Sequence, residues 1–501
     1  MGIVKSIIRK RLKNYKIQVN DINKSLPKKI LADKKVAVIG SGIAGLTSAI
    51  LLSEKGFKVN LFEKDNFLGG KVGSWNVKFD NDFETKVEHG FHAFFRQYYN
   101  LRNLLKQIDS YQYLVPIDDY LIMTKKHGDF SFKNIDSTPL LNILSMRKSG
   151  VYSLKDAIRN SKFKNMTALL RYERDKTFDK FDKMSFKEFA DIINLPPEMR
   201  LMFTTFSRAF FAEPQFISMA ELIKSFHFYF LSNDHGLIYD VLNDDFQNTL
   251  LDPASKYIER NSGIILKNSP VLSLKKADKK FEVNGQVFDY VIFGTDIQGT
   301  KKIFSNTDFL KYEETEFYNQ IINQKKSQRY AVLRLWIDKR IGDDLPFFVF
   351  TDAMKILDSV TFYHNMEKES AEWSQKNNGG IYELHSYALP ANINENEVRD
   401  QFLEEFYSYF PEIQGAKILF EYQQIKQDFT AFHTGLFKNR PDPITNVNNL
   451  YLTGDWVKLP IPAMLMEASA TSAIYAVNDI CDKEQIINHP IYSVPLNGLF
   501  A

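Results

Sequence analysis

The chain has 501 residues, of which 64 are Lys or Arg and 61 Asp or Glu, giving a formal charge of +3. That balance excludes a histone-like or acidic-tail protein and gives no whole-chain case for nucleic acid as a partner. The single cysteine, Cys481, excludes an intramolecular disulfide, a Cys-rich zinc site and a thiolate-held iron–sulfur cluster, and it fits a reducing, cytosolic compartment. At roughly 150 residues per domain, the length predicts two or three domains. The unusual number is the aromatic content: 42 Phe, 24 Tyr and 4 Trp, or 14%. Such an excess implies a large buried or ligand-binding apolar surface.

Residues 1–33 read as a basic leader. The first 30 hold nine Lys or Arg and one acid, Asp21. Ile3, Val4, Ile7, Ile8, Leu12 and Tyr15 fall at helical spacing, with Lys5, Arg9, Lys10 and Lys13 between them. Two readings stand: a basic helix on an anionic membrane surface, or a solvated leader docked on the fold. A signal peptide is excluded, because no uninterrupted apolar stretch is present. Met1-Gly2-Ile3-Val4-Lys5-Ser6 has the form of a myristoylation signal, a pattern too short to carry the assignment. The long uncharged run Val36–Ser53 has glycines where a strand turns into a helix, so no transmembrane segment is expected.

That run opens the clearest motif. Val36-Ala37-Val38-Ile39 reads as a buried parallel strand, followed by Gly40-Ser41-Gly42-Ile43-Ala44-Gly45 and a helix to Gly56. Val59-Asn60-Leu61-Phe62 is a second strand, ending in Glu63. Gly40 permits the tight turn, Gly42 a close approach to a pyrophosphate, and Gly45 close packing of helix on strand. The helix N-terminus offers free N–H groups to phosphate, and Glu63 is placed to accept from an adenosine ribose. Beyond it runs Lys64-Asp65-Asn66-Phe67-Leu68-Gly69-Gly70-Lys71, a second glycine turn six residues after the acid.

Further on, Ile264–Leu266, Pro270–Leu274, Phe281–Val283 and Phe288–Phe293 predict a hairpin and a strand entering a loop. Between positions 201 and 230 lie Phe203, Phe206, Phe210, Phe211, Phe216, Phe226, Phe228, Tyr229 and Phe230, a stripe that serves either as core or as a ligand wall. Near the C-terminus, Leu450–Thr453 predicts a strand, Gly454-Asp455-Trp456 a glycine turn, and Met464–Asn478 a weakly polar helix.

The Gly-Gly turn after Glu63 resembles the FAD-binding start of the flavin amine oxidase and carotenoid desaturase superfamily, and Gly454-Asp455 followed by the Met464 helix resembles its second FAD fingerprint. Three segments narrow the resemblance to the carotenoid desaturases: Val87-Glu88-His89-Gly90-Phe91-His92-Ala93-Phe94-Phe95-Arg96-Gln97-Tyr98-Tyr99-Asn100-Leu101, Ala331–Trp336, and Gly454–Pro460. Within that group they are most similar to the β-carotene desaturase/methylase branch, the isorenieratene synthases. The resemblance covers residues 34 to 484 and leaves the leader outside.

It implies an α/β fold: a Rossmann-like FAD-binding domain of the flavin amine oxidase type with an inserted α+β substrate-binding domain. The FAD domain is then assembled from 34–90, 250–300 and 440–484, the substrate domain from 91–249 and 301–439, with a tail at 485–501. It also implies an FAD-dependent oxidoreductase that desaturates a long polyene, with methyl migration as a β-ring becomes aromatic. FAD contacts are expected at Gly40, Gly42, Ala44, Gly45, Glu63, Lys64, Gly69, Gly70, Lys71, Val271, Gly454, Asp455 and Met464. The candidate catalytic groups are Glu88, His89, His92 and Arg96, histidine being able to shuttle a proton near neutral pH. Glu467 is expected to be structural or flavin-adjacent rather than a base. No metal-ligand spacing is present. The expected partners are a lipophilic carotenoid and, peripherally, the cytoplasmic face of a membrane, but no nucleic acid. An amine oxidase, a flavin-dependent polyene isomerase and a flavin-free binding subunit remain open alternatives.

Overall fold

The computed structural model describes residues 15–80, 82–117, 119, 121–125, 128–133, 135–142, 145, 163–235 and 238–501. The leader's membrane-helix and myristoylation readings concern residues 1–14 and lie outside the described residues.

In chain order, the elements that build the site are β1 (Lys35–Ile39), α1 (Ile43–Glu54), β2 (Lys58–Phe62), β3 (Ser74–Lys78), β4 (Glu84–Glu88), α2 (Tyr99–Gln107) and α3 (Met219–Phe226). They continue with β5 (Ile264–Leu266), β6 (Tyr290–Phe293), β7 (Tyr330–Ile337), β8 (Phe348–Thr351), β9 (Ser359–Phe362) and β10 (Gly380–Ser386). Last come α4 (Glu395–Tyr409), β11 (Ile418–Lys426), β12 (Leu450–Leu452) and α5 (Leu465–Lys483).

Five strands make one parallel sheet in the order β5-β2-β1-β6-β12. Val36–Ile39 and all of β6 are buried, as central parallel strands covered on both faces must be. Helix α1 is apolar nearly all round and buried along its length, because it lies between this sheet and α5. Three glycines allow that packing. A Cβ on Gly45 would stand 1.8 Å from the Gly40 carbonyl oxygen, and one on Gly294 would stand 2.7 Å from Gly45 Cα. Gly40 itself has φ +95°, open to glycine at no steric cost.

A second sheet of seven strands runs β11-β7-β10-β9-β8 and then Leu121–Met123 and Phe130–Ser131. Its central strands β7 and β10 are buried at every residue. Strand alternation divides their side chains. Ala331, Leu333, Leu335, Tyr382 and Leu384 pack into a core with Val398, Phe402 and Phe406 of α4. The opposite face carries Val332, Arg334, Glu383 and His385, with Val332 opposite His385 and Arg334 opposite Glu383. Buried charge on a sheet face marks a site, since each such group must be paired.

Ile17–Gln18 and Tyr492–Ser493 form a two-stranded antiparallel ribbon, so the end of the leader is stitched to the tail. Glu467, in the first turn of α5, accepts hydrogen bonds from the backbone N–H groups of Asn100 (2.9 Å) and Leu101 (3.0 Å) and from Asn100 Nδ2 (2.9 Å). It thereby satisfies the free N-terminal donors of α2, a structural task. Among the described residues no helix is long and apolar enough to cross a membrane.

Candidate active site

A single cavity of about 700 Å³ begins at the glycine turn of β1–α1 and runs to an aromatic chamber against the second sheet. Its first part is a cradle of backbone. Helix α1 starts at Gly42 with no side-chain cap and no acid in its first turn, so its N–H groups are left for a ligand anion. A Cβ on Gly42 would meet no protein atom closer than 3.9 Å, so it would stand in the open cradle itself. The second glycine turn is clipped to the first: Gly69 N donates to the Ser41 carbonyl (3.0 Å). Gly69 and Gly70 both have positive φ (+103° and +56°). Glu63 accepts from Ser41 N (3.0 Å), Ser41 Oγ (2.5 Å) and Asp65 N (3.0 Å), which fixes the turn.

Gly40, Gly42, Ala44, Glu63, Lys64, Gly69, Gly70, Lys71, Val271, Gly454 and Asp455 all line this cavity. Gly45 does not: it lies beneath the turn, where its lack of a side chain lets helix and strand touch. Met464 is a correction. The helix begins at Leu465, Leu465 and Met466 face the cavity, and the Met464 sulfur packs 3.7 Å from Ser225 Oγ. Thr430 Oγ1 donates to Asp455 Oδ1 (2.9 Å), steadying the carboxylate at the mouth of α5.

Beyond the cradle the walls change character. Lys71 Nζ stands 4.3 Å over the Phe429 ring, and Phe429 stacks on Phe211 at 3.5 Å. His89 Nε2 lies 2.6 Å from Tyr330 Oη and 3.2 Å from Asp428 Oδ2, and Tyr330 Oη donates to Asp428 Oδ1 (3.0 Å). Burial pushes the Asp428 carboxyl up. The hydrogen bonds from His89 and Tyr330 and the charge of Lys71 outweigh this and hold it well below the usual carboxylate range. Burial lowers His89, with Asp428 opposing. His92 donates Nδ1–H to the Gly90 carbonyl (2.8 Å), and burial together with neighbouring His89 lowers it to about 4. It is therefore neutral at physiological pH.

The two other expected catalytic residues are not brought to the cavity. Glu88 closes the β3–β4 hairpin and is buried away from it, accepting from Phe246 N (2.9 Å) 4.0 Å from Arg334. Burial and the charge of nearby Glu367 push its carboxyl well up, against Arg334. Arg96 turns outward and pairs with Asp240 (3.5 Å), a third exposed. What sequence reading missed is Tyr330, Asp428 and His385, which line the cavity with His89 and His92 but stand far apart in the chain and form no local motif.

The aromatic stripe divides. Phe203, Phe226 and Phe228 are core, whereas Phe206, Phe210, Phe211, Tyr229 and Phe230 wall the chamber. A π-helical turn over His227–Leu231 follows α3 and shifts the phase, so that the consecutive Tyr229 and Phe230 both reach the cavity. Phe216 is exposed at 40% and belongs to neither.

A glycine cradle joined to a largely apolar chamber is the site of a flavin-dependent oxidoreductase. The chain belongs to the family of flavin containing amine oxidoreductases, which residues 43–481 match. It is 30% identical to a carotenoid phi-ring synthase of Streptomyces griseus, over 93% of this chain and 91% of that protein. It is 24% identical to a carotenoid phi-ring synthase of Chlorobaculum tepidum, over 96% of this chain and 93% of that one. Putrescine oxidase bound to putrescine shares the fold, with a TM-score of 0.65 over 90% of this chain and 99% of that one at 14% identity.

Proposed function

We propose that the protein is an FAD-dependent carotenoid desaturase that converts a β-ring end group to an aromatic ring with migration of one methyl group. The observation that carries this reading is the continuity of the cavity: one space joins the glycine cradle to a chamber walled by Phe91, Phe206, Phe210, Tyr229, Phe348 and Phe350. A volume of about 700 Å³ matches the range of preformed ligand sites, and an aromatic lining favours an apolar ligand. The similarity to two phi-ring synthases over nearly the whole chain supports the ring chemistry.

On this reading the pieces 34–90, 250–300 and 440–484 hold the cofactor, and 91–249 with 301–439 receive the substrate. Gly40, Gly42, Gly69 and Gly70 let the backbone approach the diphosphate, Glu63 turns to the ribose, and Asp455 meets the ribityl hydroxyls. Bound FAD supplies an acceptor for hydride, the hard part of oxidising a C–H bond that carries no acidic proton. The protein's own residues orient the ring, exclude water from the chamber and carry protons. A lipid-borne substrate calls for an enzyme at the cytoplasmic face of a membrane, where the basic leader has its use.

The test is expression in a host that makes β-carotene, with mass and absorption analysis of the extracted pigment. The expected product has lost two pairs of hydrogens per ring and keeps all its carbons. A flavin-loaded protein that leaves the pigments unchanged refutes the reading.

A further inference from the structure

His385 is the one cavity histidine held against a buried carboxylate on its own strand. It lies on the cavity side of β10, and its Nε2 stands 3.1 Å from Glu383 Oε1. Glu383 is in turn bound by Arg334, with Nε and an NH2 group each 2.7 Å from Oε2. Arg334 is clamped by the Tyr363 ring at 3.9 Å. Burial works against the Glu383 charge, but Arg334 and His385 outweigh it and hold the carboxyl at about 2, so it is ionised.

The ionised carboxylate 3.1 Å from Nε2, with Thr361 Oγ1 3.5 Å from the same nitrogen, favours a hydrogen on Nε2 and the lone pair on Nδ1. The Nδ1–Cε1 edge lies against Gly90. A Cβ at that position would be 3.3 Å from Cε1 and 3.7 Å from Nδ1, and Gly90 has φ +139°. With glycine there, no side chain from position 90 covers that edge of the ring, and His385 lines the cavity. The other two cavity histidines are already engaged: His92 Nδ1 donates to the Gly90 carbonyl, and His89 spends Nε2 on Tyr330 and Asp428.

We propose that His385 Nδ1 is the proton acceptor of the ring oxidation, with Glu383 and Arg334 as positioning residues. The proposal rests on the carotenoid reading above. Removal of a hydride, two electrons and one hydrogen, is the chemistry bound FAD would supply, and it would leave a ring-centred carbocation. The electron pair of an adjacent C–H bond then closes the new C=C bond, and the proton passes to Nδ1. The resulting imidazolium is balanced by Glu383 at 3.1 Å. After methyl migration the same step yields the aromatic ring. The carboxylate thus supports the charged form only when the proton arrives.

Two measurements decide it. In flavin-loaded His385→Ala, turnover of a β-ring carotenoid is expected to fall by about 10²–10⁴-fold with flavin content retained, and added imidazole is expected to restore part of it. A merely structural histidine gives no such rescue. Turnover within about threefold of the parent, or a loss that imidazole does not touch, overturns the proposal. Independently, ¹⁵N spectra of histidine-labelled enzyme at neutral pH are expected to show Nδ1 of His385 as the unprotonated nitrogen, its signal identified by its loss in His385→Ala. A hydrogen on Nδ1 overturns the proposal without any turnover. A parent enzyme that converts no carotenoid, yet shows the expected tautomer, fails the carotenoid reading instead.

Discussion

Acid should loosen the wall of the chamber through His227. This residue opens the π-helical turn that carries Tyr229 and Phe230, stacks on Tyr172 at 4.9 Å, and donates Nε2–H to the Pro495 carbonyl (2.7 Å). Burial lowers its pKa to about 4 from an ordinary 6.5. The folded state therefore keeps a neutral ring where the unfolded chain takes up a proton. Below the unfolded value the unfolded state binds more protons, so stability falls as pH drops from about 6.5 towards 4. For one group, those two values give a loss of about 2 kcal/mol between about pH 8 and about pH 5. The perturbation is His227→Gln, which retains an N–H donor for Pro495 but does not titrate. Urea unfolding of parent and variant, followed by tryptophan fluorescence at fixed flavin concentration, gives the difference in stability at each pH. The other buried histidines cancel in that difference. The variant should lose about 2 kcal/mol less than the parent over the interval. Parallel stability–pH curves refute the argument.

Two further outcomes are expected. Gly45→Ala puts a methyl 1.8 Å from the Gly40 carbonyl, so the glycine turn cannot close; purified protein should lack the flavin absorption band, and a normal band would contradict the account of the cradle. Tyr98→Phe orphans the buried Tyr229 hydroxyl, now 2.8 Å from Tyr98 Oη, and should cost about 1–3 kcal/mol by chemical denaturation. Adding Tyr229→Phe should recover most of that loss, and additive costs would deny the coupling.

The β1–α1–β2 unit was legible in sequence because its signal is local: an apolar strand, three glycines at fixed spacing, an acid at the strand end. The second glycine turn and the Gly454-Asp455 turn are local in the same way, and all of these reach the cavity. The catalytic end was not, for two reasons. Glu88 and His89 are adjacent, yet one is buried in the Arg334 charge cluster outside the cavity and the other lines the chamber. Tyr330, His385 and Asp428 come from three separate segments, and only the pairing of β7 with β10 and β11 sets them together. A trace of the answer does lie in Arg334 and in Glu383-x-His385, charged or titratable residues set in strands that are otherwise mostly apolar. In the aromatic stripe, composition located the chamber but not its inner face, because the π-helical turn breaks the helical period on which such a division depends.

The crossing of Gly40, Gly45 and Gly294 also bears on how the protein is made. The cradle opens near the start of the chain, but β6 supplies Gly294 from its middle, and β12 with α5 supply Asp455 and Leu465 from near its end. Helix α1, apolar nearly all round, lacks its largest packing partner until α5 has been synthesised. During translation the first βαβ unit therefore waits with its apolar helix only partly covered, and cofactor uptake is confined to the nearly finished polypeptide. Supply of flavin at chain completion, rather than stability of the mature enzyme, should then govern how much protein escapes aggregation.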